Sequence, residues 1–225
     1  MDPLRRQFIE FALDSGVLKF GQFVTKAGRR SPYFFNAGLF NRGTTLARLA
    51  RFYGQTLLTA ERQGRVRFDM LFGPAYKGIT LAAATAIALA ELGRDVDFAY
   101  NRKEAKDHGE GGILVGAPLA GRVVIVDDVI SAGTSVAESV ALIRQAGATP
   151  AAVLVALDRC ERAGCDTALS EYSAAQEVTR RYGIPVLAIA DLDDLMAFVD
   201  SDAPQAAALR PHRDALLAYR ARYGA

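Results

Sequence analysis

Two adjacent carboxylates close an apolar run in this 225-residue chain. Val123 to Val126 reads as a buried strand, and Asp127 and Asp128 end it. The small residues Ser131-Ala132-Gly133-Thr134-Ser135 follow, and then a helix opens. Ser135 with Glu138 fits a capping box, Val136, Val140 and Ile143 share one helical face, and Gly147 stands where a left-handed stop is expected. Such a loop binds phosphate, because unpaired N–H groups and the positive dipole end point the same way. The two acids repel phosphate, so they must face something else, for which sugar hydroxyls or a Mg²⁺-bound water are the candidates. A phosphate loop beside paired acids suits a ribose 5-phosphate. The run lacks Gly-x-x-x-x-Gly-Lys-Ser/Thr and is therefore not a nucleoside-triphosphate loop. By spacing alone it is also readable as a buried strand with an acidic turn.

Three further stretches carry candidate chemistry. In Gly73-Pro74-Ala75-Tyr76-Lys77-Gly78, glycines at both ends allow close backbone approach, and Lys77 can set an ammonium against an anion near a helix start. Taken alone, it reads equally as a strand-to-helix turn with a solvated lysine. The stretch Asn101 to Gly112 holds Arg102, Lys103, Lys106 and His108 among Glu104, Asp107 and Glu110. Its formal charge cancels, so it acts only by placing chosen cations; otherwise it is a solvated hairpin tip. Near the N-terminus, FVTKAGRRSPYFFNAG offers Lys26 and the aromatic pair Phe34 and Phe35. A flat base can lie on an aromatic wall while its polar groups seek cations, although such phenylalanines also serve as core. Arg159, after an apolar strand, can grip a carboxylate with two donors or lie on the surface.

The string VVIVDDVISAGTS closely resembles the 5-phosphoribosyl diphosphate (PRPP) signature of type I phosphoribosyltransferases. The Lys103-x-x-Lys106-x-His108 pattern is similar to the loop that sets orotate phosphoribosyltransferases apart from purine transferases. The likeness runs from about Phe20 to near Ala190, with four motifs in the family's order. It implies transfer of ribose 5-phosphate from PRPP to orotate, giving orotidine 5′-phosphate and pyrophosphate in pyrimidine (UMP) biosynthesis. It implies that Ser131 to Ser135, with Val129 and Ile130, hold the 5′-phosphate side, and that Asp127 and Asp128 hold the ribose hydroxyls. Lys26, Tyr76, Lys77, Arg102, Lys103, Lys106 and His108 would face PRPP, with Lys103, Lys106, His108 and the acids catalytic. Lys26, Phe34, Phe35, Ser131 and Arg159 would hold orotate. Mg²⁺ would be carried mainly by pyrophosphate oxygens and water, with no metal site built from protein side chains. A homodimer sharing the 102–112 loop between subunits is also implied. Ser131 departs from the family's commoner threonine, keeping the hydroxyl and losing a methyl. The alternatives are a purine phosphoribosyltransferase and a PRPP-sensing regulator of the same fold.

The elements that must position these residues alternate. An amphipathic helix from Pro3 stops at Gly16, and a hairpin-like lid and a helix from about Thr44 to Thr59 follow. Strands are expected at Asp69–Phe72, Asp97–Tyr100, Ile113–Val115, Val123–Val126, Ala152–Leu157 and Val186–Ala190. Helices are expected at Ile79–Leu92, Ser135–Gly147, Ser173–Tyr182 and Leu192–Phe198, and a charged, Gly-rich loop from Asn101 to Gly112. This predicts an α/β chain with a mostly parallel sheet flanked by helices. Ligands then sit outside the strand C-terminal ends. One domain is expected: an N-terminal helix and hood to about residue 67, a PRPP-binding core to about 200, and a C-terminal helix. The stretch Pro204 to Tyr223 reads as basic, packed outside the sheet and without functional signal. Half the residues are apolar and net charge is +2, which points away from nucleic acid. The apolar stretch Ile79 to Leu92 is too short to span a bilayer. No charged-then-apolar leader opens the chain, and Cys160 and Cys165 have no companion ligands, so reduced thiols in a cytoplasm are expected.

Overall fold

The computed structural model describes residues 1–25, 28–106, 112–130, 133–165 and 168–225, without the side chains of 105, 106 and 165. The central sheet is built from β3 (Met70–Gly73), β4 (Asp97–Lys106), β5 (Gly112–Gly116), β6 (Arg122–Val126), β7 (Thr149–Asp158) and β10 (Val186–Asp191). Its order is β10-β7-β6-β3-β4-β5, and every pairing is parallel except β4 with β5. The fold is α/β, as the alternation of apolar strands and helices predicts.

The two faces are read directly from β6 and β7. Val123 and Ile125, with Val153 and Val155, pack under α4 (Thr134–Gln145) and α5 (Ala174–Tyr182). Val124 and Val126, with Ala152, Leu154 and Ala156, face α1 (Pro3–Asp14), α2 (Gly43–Arg62), α3 (Lys77–Glu91) and α6 (Leu192–Val199). Strands covered on both faces need apolar residues at consecutive positions, which is why these runs show no polar alternation. Helix α1 buries Phe8, Ile9, Phe11 and Ala12 and ends before Gly16, whose φ is +67°. Outside the main sheet, β1 (Leu18–Val24) and β2 (Arg30–Phe35) form an antiparallel hood, with Leu18 opposite Phe35 and Phe20 opposite Tyr33.

Two expectations are corrected, and one hairpin was not expected. The stretch expected to be a loop from Asn101 is strand through Lys106: Asn101 pairs with Leu114 and Lys106 with Gly112. The ribbon is held by backbone bonds beyond the helical cover, so its exposed charged residues carry no apolar period to reveal it. A second hairpin, β8 (Arg162–Cys165) with β9 (Ala168–Ser173), was not foreseen for the same reason. The C-terminal stretch is helical and lies outside the central sheet, as expected, but it is not one helix. Arg210–His212 forms a 3₁₀ turn between α7 (Pro204–Leu209) and α8 (Arg213–Tyr223), and α8 lies against the hood with Leu216, Tyr219 and Tyr223 buried.

The turn from β3 into α3 depends on two glycines that meet each other. A Cβ on Gly73 would stand 2.1 Å from Gly78 O; one on Gly78 would stand 2.5 Å from Pro74 Cδ and 2.8 Å from Val126 O. None of these neighbours is a flexible side-chain end. Gly78→Ala is therefore expected to lower stability by roughly 1–3 kcal/mol, seen as a lower urea midpoint at unchanged slope. An unchanged midpoint would show that the turn has room to spare.

Candidate active site

The C-terminal ends of β3, β6 and β7 bring the informative residues to one edge. At the tip of β6, the backbone is pinned before any side chain acts. Asp127 N–H donates to Leu154 O at 3.0 Å, Ala156 N–H donates to Asp128 O at 2.9 Å, and Tyr53 OH donates to Asp127 O at 2.8 Å. Asp127 then folds the following loop onto itself, accepting from Asp128 N–H at 2.8 Å and from Ser135 Oγ at 3.1 Å. The expected capping box is not formed. Helix α4 begins at Thr134 after Gly133, whose φ is +70°, and no side chain caps it. Ser135 sits inside the first turn with its hydroxyl committed to Asp127.

Asp128 turns to the neighbouring strand end. Lys77 Nζ lies 2.6 Å from Asp128 Oδ2, joining the turn after β3 to the tip of β6. The carboxylate is nearly enclosed while the lysine is half exposed. Tyr76, beside Lys77, is 72% exposed. The turn is tied to the β4 ribbon, since Ala75 N–H donates to Asn101 Oδ1 at 2.9 Å and Asn101 Nδ2 donates to Arg102 O at 3.2 Å. Arg102 is partly buried and Lys103 exposed. Following β7, Arg159 is mostly buried among Ser31, Tyr33, Glu161 and Tyr219.

Residues 46–170 match the phosphoribosyl transferase domain family. The orotate phosphoribosyltransferase of Herminiimonas arsenicoxydans is 67% identical, with 100% of this chain and 99% of that protein covered. That of Cupriavidus necator is 66% identical, covering 98% of this chain and 95% of that protein. A crystal structure of orotate phosphoribosyltransferase from Francisella tularensis matches with a TM-score of 0.84 at 40% identity, over 97% of this chain and 100% of that one. This chain belongs to the orotate phosphoribosyltransferase family.

Within that family frame, the structure gathers Lys77, Asp127, Asp128 and Ser135, with Gly133 and Thr134 opening α4 beside them. Val129 and Ile130 are partly buried and pack on opposite core clusters. Phe34 and Phe35 are separated: Phe34 is 40% exposed and stacks on Phe23 at 5.4 Å, whereas Phe35 turns to Phe8 at 6.3 Å. Lys26, His108, Ser131 and Ala132 lie outside the described residues, as does the Lys106 side chain. Sequence reasoning missed Tyr53, Asn101, Glu161 and Tyr219. For Tyr219 a signal existed, since Leu216, Tyr219 and Tyr223 share one helical face. Asn101 and Tyr53 reach partners 26 and 74 positions away, and nothing local announces that.

Burial, and then the charge of Asp128, push the Asp127 carboxyl up to about 6, against the pull of its bonds from Asp128 N–H and Ser135. The folded value lies above the unfolded one of about 3.9. The contribution to stability is therefore fully present below about 4. It is lost as pH rises through about 6. Asp127→Asn cannot ionise, so it is expected to exceed the wild type in stability by on the order of 2 kcal/mol at neutral pH. The gain should shrink toward pH ~5, where the wild-type group is protonated. Urea midpoints of both proteins across this range measure it; a gain independent of pH would contradict this origin.

Proposed function

We propose that this edge of the sheet joins orotate to PRPP, giving orotidine 5′-phosphate and pyrophosphate, a pentosyl transfer of pyrimidine biosynthesis. The Lys77–Asp128 contact of 2.6 Å is the observation that carries the site assignment. A cation suited to a departing diphosphate and an acid suited to ribose hydroxyls stand one hydrogen bond apart, and a ribose bearing pyrophosphate at C1 needs both. On entry of PRPP, Lys77 exchanges the carboxylate for pyrophosphate oxygens and Asp128 is freed for the sugar.

The C1–oxygen bond to pyrophosphate breaks as the C1–nitrogen bond to the base forms, through an oxocarbenium-like ribose. No side chain acts as a covalent nucleophile; catalysis is positioning and charge stabilisation. The loop 131–135 receives the 5′-phosphate at the opening of α4, flanked by Val129 and Ile130. Asp127 keeps that loop in shape, and Asp128 takes ribose hydroxyls and favours positive charge on the ring. Lys26, Tyr76, Lys77, Arg102, Lys103, Lys106 and His108 face the diphosphate. Phe34 and Arg159, with Lys26 and Ser131, hold the flat acid; Phe35 acts from behind by fixing the hood on Phe8.

Mg²⁺ fits this edge. Among the described residues no three His, Cys, Asp or Glu side chains gather for a metal, yet Asp127 and Asp128 present hard oxygens that suit the ion's waters. Substrate oxygens would complete the ion's ligands, and bound there it would offset pyrophosphate charge. The reading extends to a homodimer whose 102–112 segment serves the neighbouring site, in the cytoplasm. Among the described residues no helix is long and apolar enough to cross a membrane.

Loss of orotate absorbance in the presence of PRPP and Mg²⁺ tests the reaction; turnover of adenine or xanthine with no loss of orotate would reject it. Lys77→Ala is expected to lower kcat about 100-fold, the scale of one lost oxyanion donor at roughly 3 kcal/mol. A change confined to orotate KM would move Lys77 out of the diphosphate site. Mixing inactive Lys106→Ala and Asp128→Asn chains is expected to restore partial activity, since one hybrid site unites both intact parts. Verified heterodimers without recovery would reject loop sharing.

A further inference from the structure

We propose that Glu161, with Tyr219 of α8, is a positioning residue that aims Arg159 at the carboxylate of the base. The inference rests on the reading that Arg159 meets orotate, and it brings the C-terminal helix into substrate selection.

One oxygen of Glu161 collects three donors. Oε1 accepts from Arg159 Nε at 2.8 Å, lies 2.6 Å from Arg159 Nη2, and accepts from Tyr219 OH at 2.8 Å. Nη2 is also within reach of Ser31 Oγ at 3.1 Å and Tyr219 OH at 3.4 Å. The guanidinium carbon stands 4.4 Å from the centre of the Tyr33 ring, which fixes its plane. These contacts consume Nε and Nη2. Among the described residues Nη1 has no hydrogen-bond partner, so it is the donor left for a ligand.

The charge count points the same way. The other Glu161 oxygen accepts from Arg29 Nη1 at 3.3 Å, and Arg29 is 3% exposed. Arg29 Nη2 is spent on the carbonyls of Arg162 and Gly164, at 2.8 and 2.7 Å. Two guanidinium groups thus share the Glu161 carboxylate, which leaves neither of them a carboxylate partner of its own there. A buried ion pair is a weak means of stabilising a fold compared with apolar packing, because desolvation offsets the attraction. Its use here is direction.

The turn that sets Arg159 beside Glu161 is held by the end of the chain. Cys160 takes φ +49°, its N–H donates to Asp158 Oδ1 at 2.9 Å, and its carbonyl accepts from Ala225 N–H at 3.0 Å. Glu161 forms a bridge with Gly224. The two residues after α8 therefore fix the turn through their backbone, and α8 itself fixes the guanidinium through Tyr219.

The test varies orotate and PRPP separately in Arg159→Ala, Glu161→Gln, Tyr219→Phe and the double variant Arg159→Ala/Glu161→Gln. Glu161→Gln is expected to raise the KM for orotate about 10-fold and Tyr219→Phe about 3-fold. PRPP KM and kcat should stay within about 2-fold. In the Arg159→Ala background, Glu161→Gln should add less than about 2-fold, because the group it aims is gone. Equal losses toward both substrates, or full additivity with Arg159→Ala, would mark Glu161 as a structural prop and overturn the proposal. If Arg159→Ala costs orotate affinity and Glu161→Gln does not, only the positioning role falls. If Arg159→Ala leaves orotate KM unchanged, the base assignment itself fails and takes the proposal with it. Should Glu161→Gln not fold, Tyr219→Phe removes a single hydroxyl, and an unaltered orotate KM in that variant overturns the idea alone.

Discussion

Two carboxylates on consecutive residues at a strand end resist being there. Burial raises the cost of charging Asp127, and Asp128 adds like-charge repulsion. The surroundings hold the pair in place from three directions. Backbone bonds to β7 and the Tyr53 hydroxyl fix the main chain, Ser135 and the Asp128 N–H satisfy one carboxylate, and Lys77 neutralises the other. Apart from the Asp128 N–H, the contacts come from β7, α2, α3 and α4, so the helices and strands around the tip can be understood as its supports. A site kept in such a state spends stability for function, as active sites commonly do.

The same logic explains why the turn after β3 carries glycine at both ends. Lys77 reaches Asp128 only because the two segments approach within backbone contact, with Gly78 against Val126 O, the residue before the acids. The cation and the acid are thus set by main-chain packing, which varies far less than a long side chain on a loop. Asn101 extends the arrangement to the β4 ribbon by accepting from Ala75 N–H. The ribbon is consequently tied to the diacid tip through the Ala75–Asn101 and Lys77–Asp128 hydrogen bonds.

A second polar assembly, around Glu161, links the hood, the turn after β7 and the last helix. Apolar packing sets the distance: Tyr33 meets Tyr219 edge-on at 6.2 Å, and Tyr219 packs on Tyr223 at 4.9 Å. Hydrogen bonds then set direction within that shell. Burial pushes the Cys160 thiol up to about 12, which leaves it an inert packing group in the turn.

Local sequence determined the sheet and the acidic tip of β6, because their signals are short-range. Apolar runs at β6 and β7, the glycine stop after α4 and the acids of Asp127–Asp128 all act within a few positions of themselves. It showed β5 and the first part of β4, but not the continuation of β4 through Lys106 or the β8–β9 hairpin, where charged and small residues carry no apolar period. Nor did it reveal that Ser135 would serve Asp127 and not cap its helix, or that Phe34 and Phe35 would turn to different neighbours. Only the tertiary structure decided those matters, together with the pairing of Lys77 with Asp128 and the union of Arg159, Glu161 and Tyr219. For the last two the physical reason is separation along the chain: Lys77 and Asp128 stand 51 positions apart, and Tyr219 stands 58 from Glu161 and 60 from Arg159, so these contacts exist only once packing has brought their elements together.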